Sequence, residues 1–150
     1  MPEYLFTTRI GARPDAIFDV LMDLRHYGNW LPHSAVFKGT RAISEGPIAE
    51  GTRYTERSLF GTREGMIVRL RRPLCIAYHQ PMSLQPAWLG RLDIEVTDTL
   101  TDLDDSTELS RRLRLVPSGP VRFAGHAVGW AFSREIKRVH AHLKAYVERA

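Results

Sequence analysis

Arg111 is the residue whose setting first demands a chemical explanation. Over residues 107–116 the alternation that sends Leu109, Leu113 and Leu115 to one face of a strand sends Arg111 there too. A guanidinium among inward leucines must meet an anion, because an unpaired buried charge is very costly. The anion is either internal, with Glu56 and Glu64 as candidates and a snorkel to a cavity mouth as the escape, or it is a ligand carboxylate, phenolate or enolate held by the guanidinium. Tyr54 and Tyr78 lie on strands, Tyr54 shares a face with Glu56, Trp30 closes a short helix, Trp88 stands in a Pro-rich loop, and Phe132 falls on the inner stripe of the last helix. Together Trp30, Tyr54, Glu56, Tyr78, Trp88, Arg111 and Phe132 make a candidate lining for an apolar pocket with a few polar anchors. Each is also a plausible core residue, and the strands of Tyr54 and Tyr78 carry apolar residues on both faces.

Other chemistries lack their motifs. There is no G-x-S-x-G, P-loop, G-x-G-x-x-G or C-x-x-C, which removes the motif support for serine hydrolase, nucleotide-binding and zinc-ribbon readings. His140 and His142 are two apart on a helix and point about 200° from each other, so they are expected at the surface rather than on a metal. Cys75 and His79 share a strand face but stand roughly 13 Å apart along it, too far for a thiolate–imidazole dyad. No metal and no cofactor are expected.

The elements that must position the pocket follow from periodicity. Residues 3–10 alternate as a strand ending at Gly11, and Arg13-Pro14-Asp15-Ala16 starts a helix, with Pro in the first turn and Asp near the positive end of the dipole. A second short helix over about 24–30 ends before Pro32. Strands are predicted at 35–43, 52–59, 63–70, 74–79, 89–100 and 107–116, separated by Gly- and Pro-containing breaks, which favours an antiparallel meander. From 121 to 149 apolar residues recur every three or four positions, a helix of about seven turns, with Gly125 on its inner stripe as room for a ligand or for close packing. The cheapest burial of these faces is an α+β fold in which a seven-stranded curved antiparallel sheet wraps around the long C-terminal helix, with two short helices after the first strand plugging one end.

With 150 residues, 43% apolar and 25% charged, the chain fits one globular domain over 1–150. The net charge of +4 comes from 18 Arg and 3 Lys scattered among acids, unlike the basic stripe of a nucleic-acid binder, so no nucleic acid is expected. No apolar run approaches a membrane span, Met1-Pro2-Glu3 lacks the start of a signal peptide, and the single Cys75 makes no internal bridge, so a soluble, cytoplasmic protein is expected. Phe123 and Trp130, seven residues apart, share the outer face of the last helix beside Arg134, Lys137 and Arg138. They suit packing under a loop, a homodimer contact, or a membrane-surface or partner-docking patch.

The segment Ile10-Gly11-Ala12-Arg13-Pro14-Asp15-Ala16-Ile17-Phe18, the run Asp23-Leu24-Arg25-His26-Tyr27-Gly28-Asn29-Trp30-Leu31-Pro32, the strand start Glu50-Gly51-Thr52-Arg53-Tyr54, the Pro73 turn and Leu115 to Pro120 before the last helix resemble the START-like, Bet v 1-like helix-grip superfamily, in its polyketide cyclase/dehydrase-like branch of small bacterial proteins. The likeness spans nearly the whole chain and specifies fold more than reaction. It implies binding or carriage of a small hydrophobic ligand such as a lipid, isoprenoid, quinone or polyketide. The first alternative is an aromatase/cyclase-type enzyme promoting aldol closure and dehydration, with Arg111 as enolate anchor, Tyr54 or Tyr78 as donor and Glu56 or His79 as base. The second is a co-chaperone-like interaction module using Phe123 and Trp130.

Overall fold

The computed structural model describes residues 3–149; the reading of Met1 and Pro2 lies outside the described residues. In chain order the elements are β1 (Glu3–Ile10), α1 (Pro14–Met22), a 3-10 helix (Leu24–Asn29), β2 (Thr40–Arg41), β3 (Arg53–Ser58), β4 (Gly61–Arg71), β5 (Cys75–His79), β6 (Met82–Leu84), a 3-10 turn (Ala87–Leu89), β7 (Arg91–Asp102), β8 (Thr107–Ser118), a 3-10 turn (Pro120–Ala124) and α2 (Gly125–Arg149). The strands form one antiparallel sheet in the order β1-β8-β7-β5-β4-β3-β2, with β6 pairing β4 and β7. The register shifts between Ile67 and Arg69 on β4, where it pairs β5, and such a bulge adds bend and twist to a sheet. The inward parity carries Ile10 on β1, Ile67 on β4, Ile76 on β5, Leu92, Ile94 and Leu100 on β7 and Leu109, Leu113 and Leu115 on β8, all nearly inaccessible. Ile136, Val139, Leu143 and Val147 of α2 are buried with them in one core, which is the helix-grip arrangement.

Two differences from the sequence reading have local causes. The strand expected over 35–43 shrinks to the two residues of β2, because the Ser34 hydroxyl accepts hydrogen bonds from Val36 N and Phe37 N while Ser34 N donates to Phe37 O. That local turn competes with a sheet ladder. β6 was hidden among Pro81, Gln85 and Pro86, yet its Met82 and Leu84 point inward between β4 and β7.

The close approach of α2 to the sheet falls at Gly129, not at Gly125. A Cβ on Gly129 would lie 2.1 Å from the Tyr4 hydroxyl, whereas one on Gly125 meets nothing within 4 Å. His140 is not at the surface, as the sequence had suggested, but buried on the stripe of Ile136, Val139 and Leu143. The helical rotation that separates it from His142 turns it inward. Its Nδ1 lies 2.9 Å from Thr8 Oγ1 on β1, and its Nε2 has no partner. Burial, seconded by the charge of Arg111, pushes its pKa down to about 4.

Two outcomes are expected. Gly90, at φ +107 between the 3-10 turn and β7, would bring a Cβ to 2.1 Å from Ser118 O. In chemical unfolding Gly90→Ala should therefore cost about 2 kcal/mol or more, while Gly125→Ala, in helical backbone with open space around it, should be neutral or gain up to about 1 kcal/mol. Unfolded His140 takes up a proton near pH 6.5 and the folded one only near 4, so acid favours unfolding between those values. Stability should be full above that window and fall through it by about 3 kcal/mol from this group. Urea titrations of the wild type and His140→Asn across the window should show a shallower slope in the variant.

Candidate functional site

Between α2 and the concave face of the sheet lies a cavity of about 90 Å³. That is room for several waters or a compact group, and less than the ~300–1,000 Å³ of a pocket for a drug-sized ligand. Its wall is mostly apolar: Leu24, Trp30, Leu31, Phe37, Ile94, Val96, Leu113, Phe132 and Ile136. The polar groups arrive by strand parity, Tyr54 and Glu56 from β3, Arg63 from β4, Tyr78 from β5, Arg111 from β8, with Tyr27 from the 3-10 helix.

The charges in this wall are matched in pairs. Arg111 Nε and Nη2 each donate to an Asp98 carboxylate oxygen at 2.7 Å, and Asp98 is the residue directly opposite it on β7. Burial works against the guanidinium charge, and the Asp98 carboxylate more than restores it, so the pKa of Arg111 is raised overall. Arg63 Nε stands 3.4 Å from Glu56 Oε1, both side chains under a tenth exposed; Arg63 Nη2 donates to Val36 O and Thr40 Oγ1 to Glu56.

The tyrosines are neutral. Tyr27 donates to Leu21 O, and Tyr54 accepts from Gln80 Nε2 at 2.6 Å. Tyr78 Oη is buried beside the Tyr27 hydroxyl and makes no hydrogen bond of ordinary geometry among the described residues. Burial raises the pKa of all three, so each phenol keeps its proton. One flank of the cavity is closed by segment 32–37. Ser34 Oγ donates to the Glu135 carboxylate at 3.2 and 3.3 Å, while Arg138 donates to Glu135 and, through Nη1, to Pro32 O at 2.9 Å.

Of the residues expected to meet in the pocket, Trp30, Tyr54, Glu56, Tyr78, Arg111 and Phe132 line the cavity. Trp88 does not: it is 69% exposed in the turn before β7. Arg111 finds its anion in Asp98, not in Glu56 or Glu64. His79 lies outside the cavity lining, on the other parity of β5 from Tyr78, with its Nε2 2.5 Å from an Asp93 carboxylate oxygen. Sequence reasoning missed Tyr27, Arg63 and Asp98. Asp98 was within reach, because the parity of Leu92, Ile94, Val96 and Leu100 turns it inward as surely as its neighbours turn Arg111. Among the described residues no three His, Cys, Asp or Glu side chains form a candidate metal-ligand group. Among the described residues no helix is long and apolar enough to cross a membrane.

The chain is similar across its length to several solved structures. A START superfamily protein from Mycobacterium smegmatis shares 17% identity at a TM-score of 0.74, covering 98% of this chain and 97% of that one. A protein from Mesorhizobium loti shares 17% identity at a TM-score of 0.72, covering 99% and 98%. Norcoclaurine synthase from Thalictrum flavum shares 13% identity at a TM-score of 0.72, covering 99% and 94%. No curated protein matches the chain by sequence. The family described as polyketide cyclase / dehydrase and lipid transport matches residues 3–148. With that match over nearly every residue, the chain belongs to the polyketide cyclase / dehydrase and lipid transport family, and it has the helix-grip fold of those solved structures.

Proposed function

We propose that the protein binds and carries a small hydrophobic molecule whose polar end is an uncharged oxygen, a hydroxyl or carbonyl, placed against Tyr78. The observation that carries this reading is the Tyr78 hydroxyl, buried in the cavity wall beside the Tyr27 hydroxyl and making no hydrogen bond of ordinary geometry among the described residues. A protonated phenol left unsatisfied costs about 1–3 kcal/mol, which an accepting ligand oxygen recovers on binding. The matched charges favour a neutral ligand over an anion. Arg111 is already held by Asp98, and Arg63, whose Nε makes no hydrogen bond, stands 3.4 Å from Glu56, so a ligand carboxylate would compete with a resident carboxylate for either cation. The reading places the protein in the cytoplasm, in keeping with its lone, half-buried Cys75.

A cyclase or dehydratase reading retains Tyr78 as a donor to a carbonyl, but its other members are less free. Glu56 is held by Arg63 and Thr40, Arg111 is engaged by Asp98, and His79 lies outside the cavity. Binding without turnover therefore has the better support.

Calorimetric titration with geraniol, 1-octanol and octanoate tests the proposal. The two alcohols should bind and octanoate should bind at least about tenfold more weakly, the equivalent of about 1.4 kcal/mol. Tyr78→Phe should weaken the alcohols about 5–10-fold, as expected for one hydrogen bond, while leaving the unfolding midpoint equal or higher. Preference for octanoate, or alcohol affinity indifferent to Tyr78→Phe, would overturn the assignment.

A further inference from the structure

The strongest feature the cavity does not explain is the end of the molecule where β7 begins. Four connections meet there. Leu59 N in the β3–β4 turn donates to Ala35 O at 2.8 Å, Gln85 N donates to Phe60 O at 2.8 Å, and Arg91 pairs with Ser118. The turn Ala87–Leu89 touches Pro120–Ala124. This end carries five exposed large apolar side chains, Leu59, Phe60, Trp88, Phe123 and Trp130, with Phe123 at 81% accessibility. A cluster of that kind, held on separate loops and facing water, calls for an occupant.

Charge selects the occupant. The connections that build this end, residues 31–40, 57–63, 81–92 and 116–134, contain no Asp or Glu, with Glu56, Glu64, Asp93 and Glu135 bordering them. They hold exposed Lys38, Arg57, Arg91, Arg122 and Arg134, none of which forms an ion pair among the described residues. The Arg122 guanidinium lies 4.6 Å over the Phe123 ring, and that of Arg134 lies 5.5 Å over Trp130. The acids Asp102, Asp104 and Asp105 sit in the β7–β8 turn at the opposite end of a 12-residue strand, roughly 35–40 Å away.

We propose that this end docks on the surface of an anionic lipid bilayer, the aromatic side chains entering the headgroup region and the arginines meeting lipid phosphates. Trp and Phe side chains beside Arg, on connections that touch one another and on the first turns of α2, suit an interface with an apolar interior and a charged surface. A second copy of the chain fits poorly, because a two-fold contact through this end would set Arg122 and Arg134 against the same unpaired cations. The proposal rests on surface residues alone and holds whatever the cavity binds.

Co-sedimentation of the full chain tests it, with vesicles of equal parts phosphatidylglycerol and phosphatidylcholine against vesicles of phosphatidylcholine only. The protein should bind the anionic vesicles, bind the neutral ones at least about tenfold more weakly, and release as salt is raised. Arg122→Glu with Arg134→Glu, and separately Phe123→Ser with Trp130→Ser, should each weaken binding about tenfold or more. All four positions are exposed, and unchanged circular dichroism and unfolding midpoints verify the folds. Failure to bind anionic vesicles overturns the proposal, as does equal binding by wild type and both variants. So does a wild-type dimer in analytical ultracentrifugation that the variants abolish while vesicle binding persists, which would assign the surface to a second copy.

Discussion

Asp98 and Arg111 face each other across the β7–β8 ladder through two hydrogen bonds of 2.7 Å, and the carboxylate is all but inaccessible. Much else in the interior is conditioned by that pair. A one-residue slip between β7 and β8 would turn its members out of step and leave a charge buried alone, so it fixes the pairing of the two longest strands. Truncating one partner of such a pair typically costs about 3–5 kcal/mol, even though replacing both can be nearly neutral. The same guanidinium helps keep His140 uncharged, and its saturation by Asp98 leaves the cavity without a free cation. The pair contributes more to uniqueness of the interior than to its net stability.

The sheet, its antiparallel order and the long helix were legible because each rests on a period, two for strands and about 3.6 for the helix, sustained over many residues. Segment 35–43 was not, since Ser34 diverts the backbone by a side-chain contact that no alternation records. Within the site, parity alone brought Tyr54, Glu56, Tyr78 and Arg111 to one wall. What parity could not supply was the partner of Arg111. Glu56 and Glu64 are on β3 and β4, which β7 and β5 separate from the strand of Arg111. Asp98 lies closer through the register of a hairpin, a relation visible only when two strands are counted against each other from their shared turn. Trp88 illustrates the opposite limit, since in a loop there is no period to say which way a side chain points.

The cavity and the exposed aromatic end share connections. Segment 32–37 contributes Val36 and Phe37 to the cavity, fastens to α2 through Ser34, Glu135 and Arg138, and receives the β3–β4 turn at Ala35. The enclosed space is small, so admission of anything larger than a compact group must displace part of this wall. The fastenings are a few partly exposed hydrogen bonds rather than packed leucines, which makes this the wall of lower local stability.

One margin of the sheet is short and the other is fastened at one end. At the end of β1, Lys144 donates to Arg9 O, and Glu148, its carboxyl held below the usual range chiefly by Lys144, accepts from Gly11 N at 2.6 Å. The opposite margin, β2, is two residues long. A strand edge that is capped by a helix or too short to template another chain resists edge-to-edge polymerisation. The fold thus offers an incoming strand almost no backbone to extend at the β2 margin, so the tryptophan and phenylalanine exposed on its connections and on α2 lie away from any long template at that side.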